Sequence, residues 1–517
     1  METLSRRSAL KSILLGTAAH PISAQDNSPP QRQDRIHLDT AYQVIDNFGA
    51  SDCWSMQKIG SWSLPNRNRV ADLLFSRTAG IGLSCWRVNI GGGINPRITE
   101  PWRTAETFET AEGAYDWTRQ ANERWFLSAA KARAVPHFLA FVNSPPGRMT
   151  RNGLTFCDQT GYTTNLKPGF EGQYARYLAD ILDHFRQHPK AAERITFDYV
   201  SPVNEPQWDW AGHSQEGARA SNGDIKNIVR ALSSELKRRA SPTALAILES
   251  GSLQDMWQLN EKSSAAWGAP YGNYLDEFPG DPSINGLLSN RMGYHDYGSD
   301  KLAGELLENR ARLGEKSKQY PGWKLWMTEY CILTGSDGRG GDGRDLTMQT
   351  ALDVARIIHL DLTLVGVSAW HWWTAVSGVD FKDGLIYTDW KKPGDPESIL
   401  PARLLWVLGN YSRFVRPGMQ RVELAGTGHD MRGLMGSAYK DEEARQVVAV
   451  YVNMAIAPRT VQLNIGLGSR KWQFQSITPY VTSDRTGDEL RAYPLVPSGE
   501  QINIPARSVV TLVAQFT

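Results

Sequence analysis

Two glutamates each follow a short apolar run, and carboxyl groups in such positions suit acid–base and nucleophilic chemistry. Glu205 lies in Val-Asn-Glu-Pro-Gln-Trp (203–208), and Glu329 lies in Trp-Met-Thr-Glu-Tyr (326–330). Charged side chains are seldom buried unless they are paired, so an apolar run that ends in a carboxylate indicates a function. Two carboxyl groups roughly 5–5.5 Å apart can hydrolyse a glycosidic bond with retention of configuration. Taken singly, Glu205 also fits an ordinary turn, and Glu329 fits an exposed or arginine-paired strand end.

Strand and helix candidates alternate between about residues 42 and 410, in a pattern that would bring these glutamates together. The apolar strand candidates span residues 43–47, 84–89, 136–142, 197–203, 245–249, 291–295, 324–328 and 366–371. Helical candidates span residues 69–77 and 122–133, and longer, clearer ones span 170–187, 224–239 and 347–364, with Asp224 as a candidate N-cap. Eight such units predict an α/β fold, a (β/α)8 TIM barrel over residues 42–412.

A barrel places both glutamates at one face. The side chains at the C-terminal ends of barrel strands line the active site, and Glu205 and Glu329 close the fourth and seventh candidates. Those strands lie on opposing sides, so the two carboxyl groups would face each other across a bound sugar. A doubly wound sheet is the alternative, but no glycine-rich phosphate loop follows the first strand candidate.

The pattern changes after about residue 415. Short alternating runs at 447–452, 461–465 and 508–514 are separated by turn residues, without convincing helices between them. This pattern predicts an accessory β-sandwich. Residues 35–38 precede the first barrel strand candidate and are expected to add a strand to it. The predicted side domain therefore comprises residues 26–41 together with residues 413–517.

The N-terminal segment has the features of an export signal. Ser-Arg-Arg-Ser-Ala-Leu-Lys (5–11) resembles the twin-arginine motif, and the apolar stretch 13–19 that follows is too short to span a bilayer. We expect residues 1–25 to be a twin-arginine-type signal peptide and the protein to be secreted or periplasmic. The alternative is a merely basic, flexible N-terminus.

Charge and aromatic content narrow the possible partners. The formal net charge is +1, from 56 basic and 55 acidic residues, with no long charged run. Nucleic acid and charged membranes are therefore not implied as partners. Eighteen tryptophans are many for this length, and flat rings that stack on sugar faces would explain those not needed in the core. We expect a polysaccharide or oligosaccharide substrate and a monomeric protein.

Metal and cofactor chemistry is not predicted. The four cysteines (53, 85, 157 and 331) form no CxxC pair, which argues against a zinc site or a redox dithiol but leaves one disulfide open. The glycine- and aspartate-rich loop 335–343 lacks the ligand spacing and closing glutamate of an EF-hand. A mobile loop beside the second glutamate is the better interpretation.

These motifs resemble one family of enzymes. Asn-Glu at the fourth strand and Glu at the seventh are similar to the signature of clan A glycoside hydrolases. Within that clan the chain resembles glycoside hydrolase family 30. Asp-Asn-Phe-Gly-Ala-Ser (46–51) is similar to that family's opening strand and glycine turn, and Asn-Ser-Pro-Pro (143–146) to its loop after strand three. The resemblance runs from about residue 35 to the C-terminus.

The resemblance implies a role for each matching residue. Glu205 would be the acid/base and Glu329 the nucleophile, and an anionic Glu329 would raise the pKa of Glu205 by like-charge repulsion. Asn204 would bind the sugar 2-hydroxyl, and Arg87 would pair with the nucleophile. The further residues implied to contact or surround the sugar are His295, Tyr297, Trp208, Trp370, Trp373, Asp52 and Asn143. Without the resemblance, Arg87 also fits a structural ion pair and His295 a core histidine.

The substrate is a narrower question than the chemistry. Several relatives have a tryptophan before the Ser-Pro of the strand-three loop, where this chain has Val142 and Asn143, and no arginine for an acidic xylan branch is evident. Segments 206–210 and 215–217 resemble members that act on β-1,6-galactan. We expect an endo-β-1,6-galactanase, with exo action on the same polymer as an alternative. The alternatives are a β-1,6-glucanase, a β-xylan-directed hydrolase and, remotely, a non-catalytic carbohydrate-binding protein.

Overall fold

The computed structural model describes residues 31–302, 304–335, 340–389 and 396–517. The predicted signal segment 1–25 lies outside the described residues, as do residues 26–30 of the predicted side domain and residues 336–339 of the loop. Among the described residues, no helix is both long and apolar enough to cross a bilayer. All four cysteines are buried and unpaired.

Strands and helices alternate through the first four-fifths of the chain. The strands are β1 (Gln31–Val44), β2 (Asn47–Ser51), β3 (Cys85–Asn89), β4 (Glu109–Ala111), β5 (Ala114–Tyr115), β6 (His137–Phe141), β7 (Tyr199–Ser201), β8 (Ala244–Leu245), β9 (Ile247–Ser250), β10 (Arg291–His295), β11 (Lys324–Glu329), β12 (Ala369–Ser377), β13 (Gly384–Tyr387), β14 (Leu400–Pro401), β15 (Gln420–Ala425), β16 (Leu434–Asp441), β17 (Gln446–Asn453), β18 (Arg459–Gly466), β19 (Phe474–Ser483), β20 (Arg491–Ala492), β21 (Gln501–Ile504) and β22 (Ser508–Phe516). The α-helices are α1 (Met56–Ile59), α2 (Leu64–Phe75), α3 (Ala121–Ala132), α4 (Glu171–Arg186), α5 (Asn222–Arg238), α6 (Glu261–Trp267), α7 (Tyr274–Glu277), α8 (Glu305–Ser317), α9 (Met348–Leu360) and α10 (Arg403–Ser412).

A parallel barrel forms the larger part of the molecule. Its strands follow the order β8-β7-β6-β3-β2-β12-β11-β10-β9, and β8 and β9 are two segments of one broken fifth strand. The backbone N–H of Ala246, between those segments, donates to the Val200 carbonyl oxygen at 3.0 Å. The predicted (β/α)8 barrel is thus confirmed, and it is nearly closed. Helices pack around it and bury one continuous apolar core.

Several predicted element bounds differ from the structure, and three of them have a clear local reason. The first barrel strand is β2 and not 43–47, because β1 runs on to Val44, which pairs with Gln420 of the other sheet. The eighth strand begins only at Ala369, because Gly366 (φ 79°) ends a π-helical turn at Asp361–Val365. Helix α5 is capped by Ser221 and not Asp224, which instead occupies the third helical position of a capping box.

The accessory domain is a curled nine-stranded sheet with its own core, a β-sandwich as predicted. The strand order is β20-β19-β22-β17-β16-β15-β1-β18-β21, so a strand from near the N-terminus lies among strands from the C-terminal region. β1 pairs antiparallel with β15 and parallel with β18, and it includes the segment 35–38. Alternate side chains such as Ile36 and Leu38 are fully buried in this core.

Candidate active site

Glu205 and Glu329 lie at the C-terminal face of the barrel. Glu329 is the last residue of β11, and Glu205 lies four residues beyond β7 in a tight turn. The turn gives Glu205 a φ of 45°, and its backbone N–H donates to the Glu249 carbonyl oxygen at 2.7 Å. A positive φ is costly for a residue with a side chain and is found where the surroundings enforce it. The hydrogen bond to β9 therefore holds the backbone turn that sets the direction of the Glu205 side chain.

The two carboxyl groups are close and almost buried. One carboxylate oxygen of Glu205, one of Glu329 and a ring nitrogen of His295 all lie within 4.8 Å of one another. Only 6% of Glu205 and 4% of Glu329 is exposed to solvent. This separation fits the short spacing of about 5–5.5 Å in retaining enzymes, whereas inverting enzymes need roughly 6.5–9.5 Å to admit a water.

Arg87 on β3 connects the groups around Glu329. Its Nη1 donates to Glu329 Oε2 at 2.6 Å, and its Nη2 donates to Asn204 Oδ1 at 3.0 Å and to Glu249 Oε2 at 2.9 Å. Burial disfavours the charged guanidinium, but Glu249 and Glu329 outweigh it and raise the pKa of Arg87. Tyr297 donates from its hydroxyl to Glu329 Oε1 at 2.8 Å. These two donors hold the carboxyl group of Glu329 in a fixed orientation.

His295 on β10 lies between three carboxyl groups. Its Nδ1 is 2.8 Å from Glu205 Oε1 and 3.6 Å from Glu329 Oε1, and its Nε2 is 3.2 Å from Glu249 Oε2. Burial alone would lower the pKa of His295, but the carboxylates raise it to about 9. An imidazolium donates from both nitrogens and has no lone pair for a metal. The cluster's spacing would admit an ion, but its protonation suits proton transfer better.

Burial raises the pKa of Glu205 above its usual value, while the hydrogen bond and charge of His295 lower it. Repulsion from Glu329 acts in the expected direction but contributes less than burial does, which corrects the sequence-based account of the cause. Burial also opposes ionisation of Glu249, yet Arg87 and His295 lower its pKa to about 2. Of these two carboxyl groups, Glu205 is the one suited to hold a proton.

A chain of amides extends from the site into the barrel wall. Asn204 Nδ2 donates to Asn143 Oδ1 at 3.1 Å, and Asn143 Nδ2 donates to Asn89 Oδ1 at 3.2 Å. Asn89 Nδ2 then donates to Glu216 Oε1 at 2.7 Å. Burial raises the pKa of Glu216 to about 7. This chain fixes which atoms of Asn143 and Asn204 are presented to the cavity.

A cavity of about 460 Å³ lies over the two glutamates. The predicted residues that line it are Glu205, Glu329, Asn143, Asn204, Tyr297, Trp208 and Trp373. Arg87 and His295 contact the glutamates from beneath the cavity lining. The structure therefore brings nine of the eleven predicted site residues together around one pair of carboxyl groups.

Trp370 and Asp52 do not line this cavity. Trp370 is fully buried, and its indole N–H donates to Asp361 Oδ2 at 2.9 Å on the helix side of the barrel. Successive side chains of a strand point to opposite faces, so Trp370 and Trp372 point outward and Trp373 points into the cavity. Asp52 is 3% exposed, and its Oδ1 accepts from the Asn89 backbone N–H at 2.9 Å. The structure therefore places both Trp370 and Asp52 outside the cavity lining.

Several residues of the site were not predicted. Glu249 was missed although the fifth strand candidate ends on it after an apolar run, the same signal that marked Glu329. Arg103 and Asp383 also line the cavity, and Asp383 Oδ1 is buried with no hydrogen-bond partner among the described residues. Arg103 and Asp383 lie outside the predicted strands, where periodicity carries no information. Cys331, which is almost fully buried, lines the same cavity.

Comparisons with known proteins agree with this architecture. Residues 31–387 match the sequence profile of O-Glycosyl hydrolase family 30. An endo-beta-1,6-galactanase from Hypocrea rufa is 25% identical over 445 residues, which is 80% of each chain. A conserved exported protein from Bacteroides fragilis superposes with a TM-score of 0.82 at 30% identity, over 93% of this chain and 100% of that one. The catalytic domain of GH30 xylanase C from Talaromyces cellulolyticus shares the fold, with a TM-score of 0.66 at 21% identity over 93% and 100% of the two chains.

The family profile covers well over half of the chain, and the barrel, the accessory domain and the paired carboxyl groups agree with it. The protein is a glycoside hydrolase and belongs to glycoside hydrolase family 30.

Proposed function

We propose that the protein is a retaining endo-β-1,6-galactanase with Glu205 as the acid/base and Glu329 as the nucleophile. The observation that carries the catalytic part is the close approach of these two carboxyl groups, with Arg87 and Tyr297 donating to Glu329 and burial raising the pKa of Glu205. The choice of β-1,6-galactan is supported by the similarity to the Hypocrea rufa enzyme.

In the first half of the reaction, a Glu329 carboxylate oxygen attacks the anomeric carbon as the bond to the leaving oxygen breaks. Glu205 transfers its proton to that oxygen, so the leaving sugar departs as a neutral alcohol. The product is a glycosyl ester on Glu329. Arg87 holds the second oxygen of Glu329 and so orients the first for attack.

In the second half, Glu205 acts as a base. Esterification removes the negative charge of Glu329, and with it the repulsion that helped Glu205 to keep a proton. Glu205 then takes a proton from water as the water oxygen attacks the anomeric carbon and displaces Glu329. The carboxylate of Glu329 and the proton on Glu205 are both restored.

The cavity lining supports binding roles for three predicted residues. Asn204 is fixed by Arg87 and Asn143 beside both glutamates, which suits a hydrogen bond to the sugar 2-hydroxyl. Trp373 is the strand β12 tryptophan that faces the cavity, and we propose that it stacks on the sugar whose bond is cleaved. Asn143 would present its amide to the same sugar.

Release of reducing sugar from β-1,6-galactan, β-1,6-glucan and xylan tests the substrate. We expect the highest kcat/KM on β-1,6-galactan. Clear product from xylan or glucan with none from galactan would replace galactan by that polymer.

Glu329→Gln is the control for catalysis in this experiment. It removes the nucleophile while it keeps the shape of the side chain, so we expect turnover to be abolished and sugar binding to remain. Wild-type rates in this variant would contradict the assignment of Glu329. Binding without turnover in the wild type would instead favour a non-catalytic carbohydrate-binding protein.

We also propose that the protein is exported by its twin-arginine-type segment and acts as a monomer. The Bacteroides fragilis relative is described as an exported protein, which supports export. Cell fractionation and the solution mass of the purified protein test these two points. A cytoplasmic location or a stable dimer would contradict them.

A further inference from the structure

A second and larger cavity, of about 700 Å³, opens beside the catalytic one. Trp208, Trp210 and Gln215 line both, so the two cavities are adjacent and share a wall. The far side of the second cavity is formed by α6, including Trp267. We propose that this second cavity, the leaving-group groove, binds at least two neutral sugars of the departing part of the substrate. The proposal rests on the proposed roles of Glu205 and Glu329.

The position of Glu205 decides which part of the substrate enters the groove. The acid protonates the oxygen of the departing sugar, so groups beyond the acid contact the leaving group. Trp210 is tied to the acid directly, because its indole N–H donates to the Glu205 carbonyl oxygen at 2.9 Å. Trp208 is 38% exposed and lies beside Glu205, against Gly251. The groove therefore continues from the acid and not from Glu329.

Trp267 has a rigid support on one face. The guanidinium carbon of Arg219 lies 3.5 Å from the centre of the Trp267 ring. Arg219 itself is fully buried and donates to four backbone carbonyl oxygens, those of Tyr162, Asp209, Asp158 and Thr160. Because Arg219 covers one face, the half-buried indole offers its remaining surface to the groove. A fixed flat ring of this kind suits stacking on a pyranose.

Trp210 and α6 are also held in place. A Cβ on Gly217 would overlap the Trp210 indole, so the ring packs directly on the glycine backbone. Ser263 of α6 donates from its hydroxyl to the Gln207 carbonyl oxygen at 2.6 Å, which ties the helix to the loop that carries the acid. The groove is thus preformed, and binding a sugar there costs little ordering of the protein.

The size and charge of the groove indicate its ligand. A volume of about 700 Å³ lies within the range of roughly 300–1,000 Å³ typical of pockets for compact organic ligands, a class that includes a disaccharide. Its charged lining residues, Asp209 and Lys262, have opposite signs, and its other polar groups include the amides of Gln159, Gln215 and Asn260. This lining favours the hydroxyls of a neutral saccharide over an acidic one.

The test is the substitution Trp267→Ala, read out as a ratio. An aryl glycoside has no sugar in the groove, whereas a longer oligosaccharide fills it. Stacking of one aromatic ring corresponds to about a tenfold change in kcat/KM. We expect the variant to lower the ratio of kcat/KM for the oligosaccharide to that for the aryl glycoside about tenfold. We also expect cleavage of an end-labelled hexasaccharide to shift toward bonds with shorter leaving groups.

Trp472→Ala is the matched control, because Trp472 is also half-buried beside an arginine but lies in the accessory domain. An unchanged ratio in Trp267→Ala, or an equal fall of the ratio in both variants, would contradict the proposal that the groove binds sugars of the leaving group. The aryl glycoside and oligosaccharide are those of whichever polymer the wild type cleaves. Absence of product from galactan would thus contradict only the galactan assignment. The ratio of the two kcat/KM values would still test whether the groove binds the leaving group.

Discussion

At the scale of single residues, the site is a balance of buried charges. Glu205, Glu249 and Glu329 supply three carboxyl groups, and Arg87 and His295 supply two cations in contact with them. Fully ionised, the cluster would carry a net charge of −1 (two positive and three negative charges). One proton makes it neutral, and burial raises the pKa of Glu205 whereas the pKa of Glu249 is lowered to about 2. Of Glu205 and Glu249, Glu205 is therefore the carboxyl group that holds the proton, where an acid is needed.

The acid role of Glu205 predicts a dependence on leaving group and pH. Glu205→Gln should lower kcat/KM on polysaccharide about 10²–10⁴-fold, the usual contribution of general acid–base catalysis. An aryl glycoside whose leaving group needs no protonation should lose much less. For the wild type on polysaccharide, the raised pKa of Glu205 keeps activity to higher pH, and activity falls as pH rises through that pKa.

Steady-state kinetics of both substrates across pH check this prediction, and His295→Gln serves as a comparison that keeps the acid but removes its charged neighbour. Equal losses on the two substrates in Glu205→Gln would contradict the acid role. An unchanged alkaline limb for the polysaccharide in Glu205→Gln would do so as well, because that limb should flatten when the acid is gone.

At the scale of elements, the loop after β9 positions the acid on the loop after β7. The fifth strand is broken between β8 and β9, and its second segment carries Glu249, whose carbonyl oxygen accepts from the Glu205 backbone. Gly251 is the first residue after β9, and the absence of a side chain there leaves room for Glu205 and Trp208. The position of the acid thus depends on a neighbouring strand as much as on its own.

Gly251→Ala should misplace the acid. A Cβ at this position would overlap Trp208 Nε1 and lie 2.9 Å from Glu205 Oε1, so both side chains must move. A shift of about 1 Å in a catalytic group can cost roughly a hundredfold in rate, and we expect kcat/KM to fall on that order.

Gly286→Ala is the matched control, because a Cβ there meets no atom within 4 Å. Circular dichroism and the thermal midpoint would show whether Gly251→Ala retains the wild-type fold. Wild-type activity in folded Gly251→Ala would show that the close packing of the acid against β9 is not required.

At the scale of the whole molecule, the barrel and the accessory sheet share a polar joint. Asn410, buried on α10, donates from Nδ2 to Thr511 Oγ1 at 2.9 Å and to the Tyr480 carbonyl oxygen at 3.2 Å. Thr511 in turn donates from Oγ1 to the Asn410 carbonyl oxygen at 2.6 Å. These hydrogen bonds therefore attach α10 of the barrel to strands β19 and β22 of the accessory sheet.

Asn410→Ala should destabilise the protein without changing its catalytic groups. The substitution leaves buried acceptors without donors, which costs about 1–3 kcal/mol in the free energy of unfolding. Denaturant unfolding measures this difference, and the exposed Asn464→Ala on β18 should change the same quantity by less than about 0.5 kcal/mol. An equal effect of both substitutions would argue against a stabilising joint.

The sequence by itself determined the local features of the protein, its strands, its helices and the residues that end them. Apolar runs and amphipathic stretches mark the barrel units, because a strand buried on both faces must be apolar over several consecutive residues. A carboxylate at the end of such a run is visible without a structure, which is why Glu205 and Glu329 were found. The misplaced first strand shows the limit, since residues 43–44 are equally compatible with either sheet, and only pairing with β15 decides between them.

Only the tertiary structure decided which groups share the site and which merely lie near it in sequence. Arg103 and Asp383 reach the site from distant segments, because loop paths depend on packing between residues far apart in the chain. Trp370 and Trp373 are three residues apart, yet strand β12 directs one into the core and the other into the cavity. The contact of buried Arg219 with Trp267, which lies beside the loop that carries the acid, is likewise visible only in the structure.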